Sequence, residues 1–522
     1  MYNQTMKEEL MQKLEILADS AKYDVSCSSS GSNREANGRM GNAHASGICH
    51  SWSADGRCVS LLKVLFTNKC VYNCEYCVNR REAECLRAAF EPEELAELTM
   101  EFYRRNYIEG LFLSSAVEVS PDYTAERILK SLQLLRYKYG FAGYIHAKII
   151  PGVSPELVHE IGMVSDRLSV NIEMPTSRSL EAFAPQKKAK EIFAPMRQIT
   201  NTLIETNSLV GPGTMFKGQK LNTPENYLGG GMDRLQPRDG EKTGIGSGTQ
   251  LIVPGAAGAL QTAGKGQFAA AGQTTQMIIG AGGETDRSIL TTSENLYRTF
   301  KMKRVYYSAY IPVVKSPILP DINTAPPLAR EHRIYQADWL LRFYGFTVSD
   351  LFGGSSSADV GENKTMGAEG DNLDPDLDPK VMWALRNLDR FPIEVNKASY
   401  EELLRIPGIG HKSAKRIIRQ RRFAAVRYDD LKKMGVVLKR ARYFMLCCGR
   451  YYGSKIFEPE IIRNSMLQME SGLQMSMFDN AGNLLGYDGS WRKIEEGERR
   501  EKLAKAGVIL WIICMTGPLR DC

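Results

Sequence analysis

The sequence predicts an α/β body of parallel βα units followed by a small all-α module. Three observations lead there. From Ser60 onward, six short apolar runs alternate with amphipathic stretches, the pattern of parallel strands joined by helical crossovers. The chain has 522 residues and is 43% hydrophobic, enough to bury more than one core. Residues 380–455 hold 19 Lys or Arg against 6 Asp or Glu, while the whole chain carries only +7. Positive charge is therefore concentrated in one module, which points to a polyanionic partner or to a solvated face.

Residues 1–22 place Leu10, Leu14, Ile16 and Leu17 among charges at helical spacing. They contain no apolar core of a secretory leader, so a cytoplasmic protein is expected. Residues 27–57 are polar and rich in Gly and Ser, and read as a loop. The strand candidates are 61–66, 111–115, 144–150, 168–173, 276–280 and 305–311. Between them, 91–106, 124–137, 155–163 and 286–300 read as helices, with Pro or acidic residues near their starts. Residues 205–272 hold 15 of the 46 glycines and read as an insertion or flap; no strand–loop–helix context or Gly-Lys-Ser/Thr ending marks a phosphate loop there. Residues 328–344 have the spacing of a helix packed on a core, with His332 structural rather than catalytic.

The expected division is an N-terminal helix and Cys-rich segment (1–58), the α/β body (59–345, with the insertion 205–272), a linker (346–379), the basic module (380–455) and an unassigned tail (456–522). The late apolar run at 508–515 is far short of the roughly 18 residues of a spanning helix, so no membrane association is expected.

Cysteine placement is the main chemical signal. Eleven cysteines in a chain this long are too sparse for a disulfide framework, and they cluster before residue 86. Cys70, Cys74 and Cys77 form a C-x3-C-x2-C run just after the first strand. Three thiolates can hold three irons of a cubic cluster and leave the fourth open to a small ligand. A structural zinc site, which usually takes four Cys or His ligands, is the competing reading, with chance clustering behind it. Cys27, Cys49 and Cys58, beside His50, are candidates for a second iron-sulfur cluster; small buried cysteines are the alternative.

On the candidate strands, His146 and Lys148 share one face, as do Tyr306, Ser308 and Tyr310. Lys148 can pair with a phosphate and Tyr310 can stack on a base, which makes these two the catalytic candidates; ordinary core packing is the alternative. In the basic module, residues 396–416 resemble a helix-hairpin-helix motif around IPGIG at 406–410. The turn Gly408-Ile409-Gly410 would offer backbone N–H groups to a phosphate, with Lys412, Lys415 and Arg416 nearby. Residues 431–440 look like a weaker second hairpin, and protein binding is the alternative use of the pair.

The runs GRCVSLLKVLFTNKCVYNCEYCVNR, KRVYYSAYIPV and REHRIYQADWLLRFYGF, together with the hairpins, resemble the radical S-adenosylmethionine (SAM) proteins associated with DNA modification or repair. The resemblance covers residues 20–455 outside the low-complexity insertions. It implies a partial (β/α)6 barrel of TIM type with its site at the C-terminal strand ends. It implies a 4Fe-4S cluster on Cys70, Cys74 and Cys77, with Tyr76 as the aromatic residue before the last cysteine. SAM would chelate the open iron and be cleaved on reduction to a 5'-deoxyadenosyl radical that abstracts hydrogen from the substrate. Where the family often has Gly-Gly-Glu, this chain has Ser114 and Ser115, whose hydroxyls or carbonyls would hold the SAM amino group. Asn171 and Glu173 resemble the pair that binds the ribose, and residues 279–284 the segment against the adenine. Arg178, Lys187 and Lys188 would line a polyanion entrance or form a solvated loop. The implied partners are DNA or RNA, an electron donor such as flavodoxin or ferredoxin, and a uracil-DNA-glycosylase-like protein. An RNA-modifying radical SAM enzyme and a non-catalytic iron-sulfur nucleic-acid-binding protein are the alternatives.

Overall fold

A computed structural model describes residues 2–21, 48–52, 58–206, 268–353 and 370–474, with short strand fragments at 484–485 and 491–492. Its described residues fall into two compact units: the chain up to Gly282 with Asn295–Pro326, and Gly283–Glu294 with the chain from Pro327 onward.

The first unit is built on a seven-stranded sheet: β1 (Ile48–Trp52), β2 (Cys58–Leu65), β3 (Gly110–Ser114), β4 (Tyr144–Lys148), β5 (Arg167–Ser169), β6 (Gln273–Ile279) and β7 (Arg304–Ala309), in that spatial order. Strands β2 to β7 are parallel, each beside its sequence neighbour, which is the half-barrel arrangement of a partial TIM-type fold. The expected six parallel strands are all present. Strand β1 corrects the loop reading of 27–57, because Ile48–Trp52 pairs antiparallel with β2 and extends the sheet edge. Strand β5 stops at Ser169, earlier than the expected end at 173.

The crossovers are α2 (Pro92–Arg104), α3 (Pro121–Gln133), α4 (Pro155–Val164), α5 (Ser177–Phe183) with α6 (Ala189–Glu205), and α7 (Asp286–Phe300), after α1 (Tyr2–Ala21) at the N-terminus. Pro opens α2, α3 and α4, where its missing N–H costs nothing. Glu91 closes a capping box with Glu94, and the Ser120 hydroxyl accepts from Tyr123 N. Helices α5 and α6 were not foreseen; Pro195 sits inside α6 and disguises it. The α1 residues Leu14, Leu17, Ala18 and Ala21 are buried, and Lys13 pairs with Glu94 at 2.9 Å.

Alternation along β7 separates the faces of the sheet. Val305, Tyr307 and Ala309 are buried, while Arg304, Tyr306 and Ser308 are half-buried. Register places Lys148, Ser169, Thr274 and Arg304 in one row across β4 to β7, with Gln276 and Tyr306 in the next row up. On this polar face Ser169, Thr274 and Gln276 are buried, while Lys148, Arg304 and Tyr306 are half-buried.

The second unit contains α8 (Leu328–Phe343), α9 (Val348–Phe352), α10 (Pro379–Arg386), α11 (Tyr400–Arg405), α12 (His411–Gln420), α13 (Tyr428–Lys433), α14 (Leu438–Ala441) and α15 (Pro459–Gln474). It is helical as expected, and also has an unforeseen three-stranded sheet of β8 (Ile393–Glu394), β9 (Met445–Cys447) and β10 (Arg450–Tyr451). Within residues 346–379, Thr347 and Asp350 form a capping box that starts α9. In the tail, α15 buries Ile462 and Met466, and Arg463 pairs with Asp374 at 2.7 Å. The glycine-rich expectation lies outside the described residues from 207 to 267. No helix among the described residues is long and apolar enough to cross a membrane.

Candidate active site and nucleic-acid interface

The three cysteines occupy the loop that leaves β2 at the C-terminal end of the parallel strands. Cys74 is buried, and Cys70 and Cys77 are half-buried; all three are free thiols. A turn joins Cys77 N to Cys74 O at 3.1 Å, and Cys77 Sγ accepts from Asn79 N at 3.4 Å. The loop is tied to its surroundings by Val71 N to Val117 O and Glu75 N to Phe183 O, each 2.8 Å.

Its main fastening is Arg87, which the sequence reading missed. One guanidinium donates to four loop carbonyls: Asn68 O at 2.6 Å, Asn79 O at 2.9 Å, Arg80 O at 2.6 Å and Ala83 O at 3.0 Å. Beside it, the buried Asn68 accepts from Ala88 N at 2.8 Å and donates to Leu86 O at 2.8 Å. The loop is thus closed at its base like a drawn purse. No periodicity marks such a role; only the length of loop needing support could have hinted at it.

Tyr76 connects the loop, through Lys187, to the segment that follows β5. Lys187 Nζ donates to Tyr76 Oη at 3.3 Å and forms an ion pair with Glu173 at 2.8 Å, its side chain only 14% exposed. Lys187 is therefore not a polyanion-entrance residue; it is committed to an internal bridge, whereas Lys188 is exposed. Burial opposes charge on Lys187, but the Glu173 carboxylate, with Tyr76 and Cys74, outweighs it and holds the ammonium well above its ordinary range. Glu173 has φ +61°, a left-handed conformation that is costly for a non-glycine residue and breaks strand alternation there. Asn171 donates to Gln276 Oε1 at 3.2 Å. Asn171 and Glu173 thus lie beyond β5, not on it.

Ser114 is buried at the end of β3, with Ser115 next in the chain, and both hydroxyls are sequestered from water without a hydrogen-bond partner. The hydroxyl of Tyr310, just past β7, is likewise buried and unpartnered, and burial raises its pKa against the opposing charge of Arg80. Unpaired buried hydroxyls cost free energy until a ligand or water satisfies them. Their gathering at strand ends fits a polar ligand. Lys148 is half-buried at the end of β4, opposite Ser169.

The cysteine loop also fits a soft metal centre by the chemistry of its donors, which are three thiols on one short loop. No three or more Cys, His, Asp or Glu side chains among the described residues converge as a completed metal-binding group. Burial raises the Cys74 thiol and pushes that of Cys77 up to about 12, so neither ionises unaided at neutral pH. A cationic centre is what would displace those protons. Among the second-cluster candidates, Cys27 lies outside the described residues. Cys49 and Cys58 lie on β1 and β2, facing Leu61 and Trp52 in register, and their side chains are outside the described set.

In the second unit, the two hairpins interlock. Gly408 has φ +84°, and its carbonyl accepts from Val437 N at 2.9 Å. Ser413 Oγ donates to Gly435 O at 2.9 Å and Arg416 Nη1 to Met434 O at 3.2 Å. Ile409 is buried, so its side chain serves the core, while its carbonyl accepts from Lys380 Nζ at 2.7 Å. Gly410 caps α12 without a side-chain cap and no acidic residue occupies the first turn, leaving a helix N-terminus suited to an anion. Lys412, Lys415 and Arg416 are exposed beside it.

The two glycines should respond differently to substitution. A Cβ on Gly408 would meet Val437 O at 2.6 Å and Ala441 N at 3.1 Å, whereas on Gly410 it would meet only Tyr344 Oη, at 3.3 Å. Gly408→Ala is expected to destabilise the unit by about 1–3 kcal/mol and Gly410→Ala by much less. Denaturant unfolding of the two variants would measure this; equal losses would contradict the interlocked geometry.

A helix-hairpin-helix motif family matches residues 391–437. No curated protein matches the chain. Among solved structures, the chain is similar to HydG, a maturase of the FeFe-hydrogenase, at 12% identity and a TM-score of 0.32, over 53% of this chain and 48% of that one. It is similar to the FeFe-hydrogenase maturase HydG from Carboxydothermus hydrogenoformans at 12% identity and the same TM-score of 0.32, over 53% of this chain and 50% of that one. Each match thus spans about half the length of the HydG chain.

Proposed function

We propose that the chain is a radical SAM enzyme that modifies or repairs a nucleotide in DNA, held by the hairpin unit. The observation that carries this reading is the position of Cys70, Cys74 and Cys77: a three-thiol loop leaving the first parallel strand of a half-barrel at its C-terminal end. Those thiols would hold a 4Fe-4S cluster, which together with SAM supplies hydrogen-atom abstraction when bound. The chain's own residues bind and position. Ser114 and Ser115 offer unpartnered hydroxyls beside the loop's strand, and Lys187 fixes Tyr76 and Glu173 relative to each other. The Tyr310 hydroxyl, its pKa raised by burial, remains a protonated donor at neutral pH. The basic hairpin unit supplies sequence-independent phosphate contacts.

Anaerobic iron and sulfide reconstitution followed by reduction with SAM is the test. Wild-type protein should yield 5'-deoxyadenosine and Cys74→Ala should not; a wild-type yield no higher than that of the variant refutes the enzyme reading. The same samples report cluster number. About four irons per chain corresponds to one cluster and about eight to a second one, for which Cys27, Cys49 and Cys58 are the candidates.

A further inference from the structure

The exposed face of α12 forms a continuous basic track with an aromatic residue at its far end. Lys412, Lys415, Arg416, Arg419 and Arg422 are all exposed, while Ala414 and Ile417 on the opposite side are fully buried. Steps of three and four residues keep Lys412, Lys415, Arg416 and Arg419 on one side of the helix, and Arg422 follows in the turn after it. At the end of the track, the side chain of Phe423 is 83% exposed, the highest value among the large apolar side chains of the described residues. A single exposed apolar residue is ordinary on a protein surface. Phe423 is distinguished by its setting.

Its backbone is fixed: Phe423 N and Ala424 N donate to Gln420 O at 3.0 and 3.1 Å. Arg421, next to it, anchors the turn through Val395 O and Ala398 O. The ring therefore projects from a supported corner and not from a loose strand. Arg422 and Arg427 flank it and are exposed. The nearest following carboxylates are Asp429 and Asp430, and Asp430 is engaged in capping Arg427 N at 3.0 Å.

We propose that Phe423 is a base-stacking wedge, and that the favoured ligand of the hairpin unit is DNA with an unpaired base. This rests on the nucleic-acid reading of the hairpins and adds to it a ligand class and a residue. A phosphate at the N-terminus of α12 is followed along the helix by further cations, so that at about 1.5 Å per residue Arg419 lies roughly 10 Å beyond Lys412, and Phe423 stands in the turn that follows. The span of the helical cations corresponds to about three nucleotides of one duplex strand at roughly 3.4 Å each, with the ring just past it. A base in a continuous duplex stack is closed to the ring, but one at a bulge or a single-strand junction can stack on it. A hydrogen-abstracting enzyme that must reach a sugar or base is served by a ligand already unstacked at a fixed distance from its phosphate grip.

Binding of the full chain to three probes tests this by fluorescence anisotropy: a perfect duplex, the same duplex with one central unpaired base, and a single strand of the same length. Wild type should prefer the bulged duplex and the single strand over the perfect duplex. Phe423→Ala should lose about tenfold or more on those two probes and less than about twofold on the perfect duplex, while Phe423→Trp should retain the preference. Lys412→Glu with Arg419→Glu should weaken binding to all three and reduce its salt dependence. If these charge reversals weaken binding but Phe423→Ala does not discriminate among probes, the wedge is overturned and the nucleic-acid reading stands. If wild type binds no probe, or charge reversal has no effect, both fall. The exposed position of Phe423 keeps its substitution away from the core, and an unchanged unfolding midpoint confirms that.

Discussion

Replacement of Arg87 by methionine is expected to prevent the Cys70–Cys77 loop from holding iron while leaving the half-barrel folded. The guanidinium satisfies four carbonyls on a loop with little regular structure. A hydrogen bond from a charged donor contributes about 1.5–3 kcal/mol, so even with water taking over some carbonyls the local loss is several kcal/mol. That loss falls on the loop alone, because the core of β2 and β3, including Leu61, Leu62, Val64, Leu111 and Leu113, is packed independently. Arg87→Lys separates geometry from charge, since an ammonium cannot reproduce a planar fork. Both variants should therefore bind substoichiometric iron after reconstitution and keep a near-native circular dichroism spectrum. Full iron loading of Arg87→Met would show that the cysteines position themselves without the clamp.

The half-barrel was legible because βα alternation is a local signal: each strand announces itself by a short apolar run, and each helix by its Pro or acidic start. The cysteine loop was legible for a related reason, since its spacing is contained in eight consecutive residues. What escaped depends on residues distant in sequence. Arg87 reads as one more basic residue in a helix-poor stretch, and its clamp exists only once 68–83 folds back on it. Lys187 read as a loop cation because its partner Glu173 lies 14 positions away, on a left-handed backbone that no propensity favours. Strand β1 was hidden in polar sequence, because an antiparallel edge strand needs only one apolar face. The left-handed Gly408 was anticipated as a phosphate turn, but its close approach to Val437 depends on the second hairpin docking against the first.

The other misread cation gives the second large expectation. Among the 19 basic residues of 380–455, Lys380 is not a surface charge: it is only 8% exposed, with its ammonium 4.8 Å from the centre of the Tyr344 ring and bonded to Ile409 O within the hairpin turn. Burial lowers its pKa to about 7, against the favourable Asp378 carboxylate and with help from Arg405. The unfolded chain retains an ordinary lysine, near 10.4. Between these two values the unfolded state binds a proton that the folded state does not, so stability rises with pH from about 7 towards 10 and carries the full burial penalty below 7. The limiting slope is about 1.36 kcal/mol per pH unit. Lys380→Met keeps the aliphatic stem and removes the titration, losing one hydrogen bond worth about 1 kcal/mol. The variant should be more stable than wild type near pH 6, and the difference should shrink and then reverse as pH approaches 10. Denaturant midpoints of the full chain across that range measure it; parallel curves for the two proteins would place the Lys380 charge in contact with water. Because the bonded carbonyl belongs to Ile409, between the two glycines of the hairpin, the same titration should tighten or loosen the turn that presents the N-terminus of α12. The affinity of wild type for duplex DNA should therefore change across pH 7 by more than that of Lys380→Met, which separates a hairpin-linked lysine from one that only burdens the core.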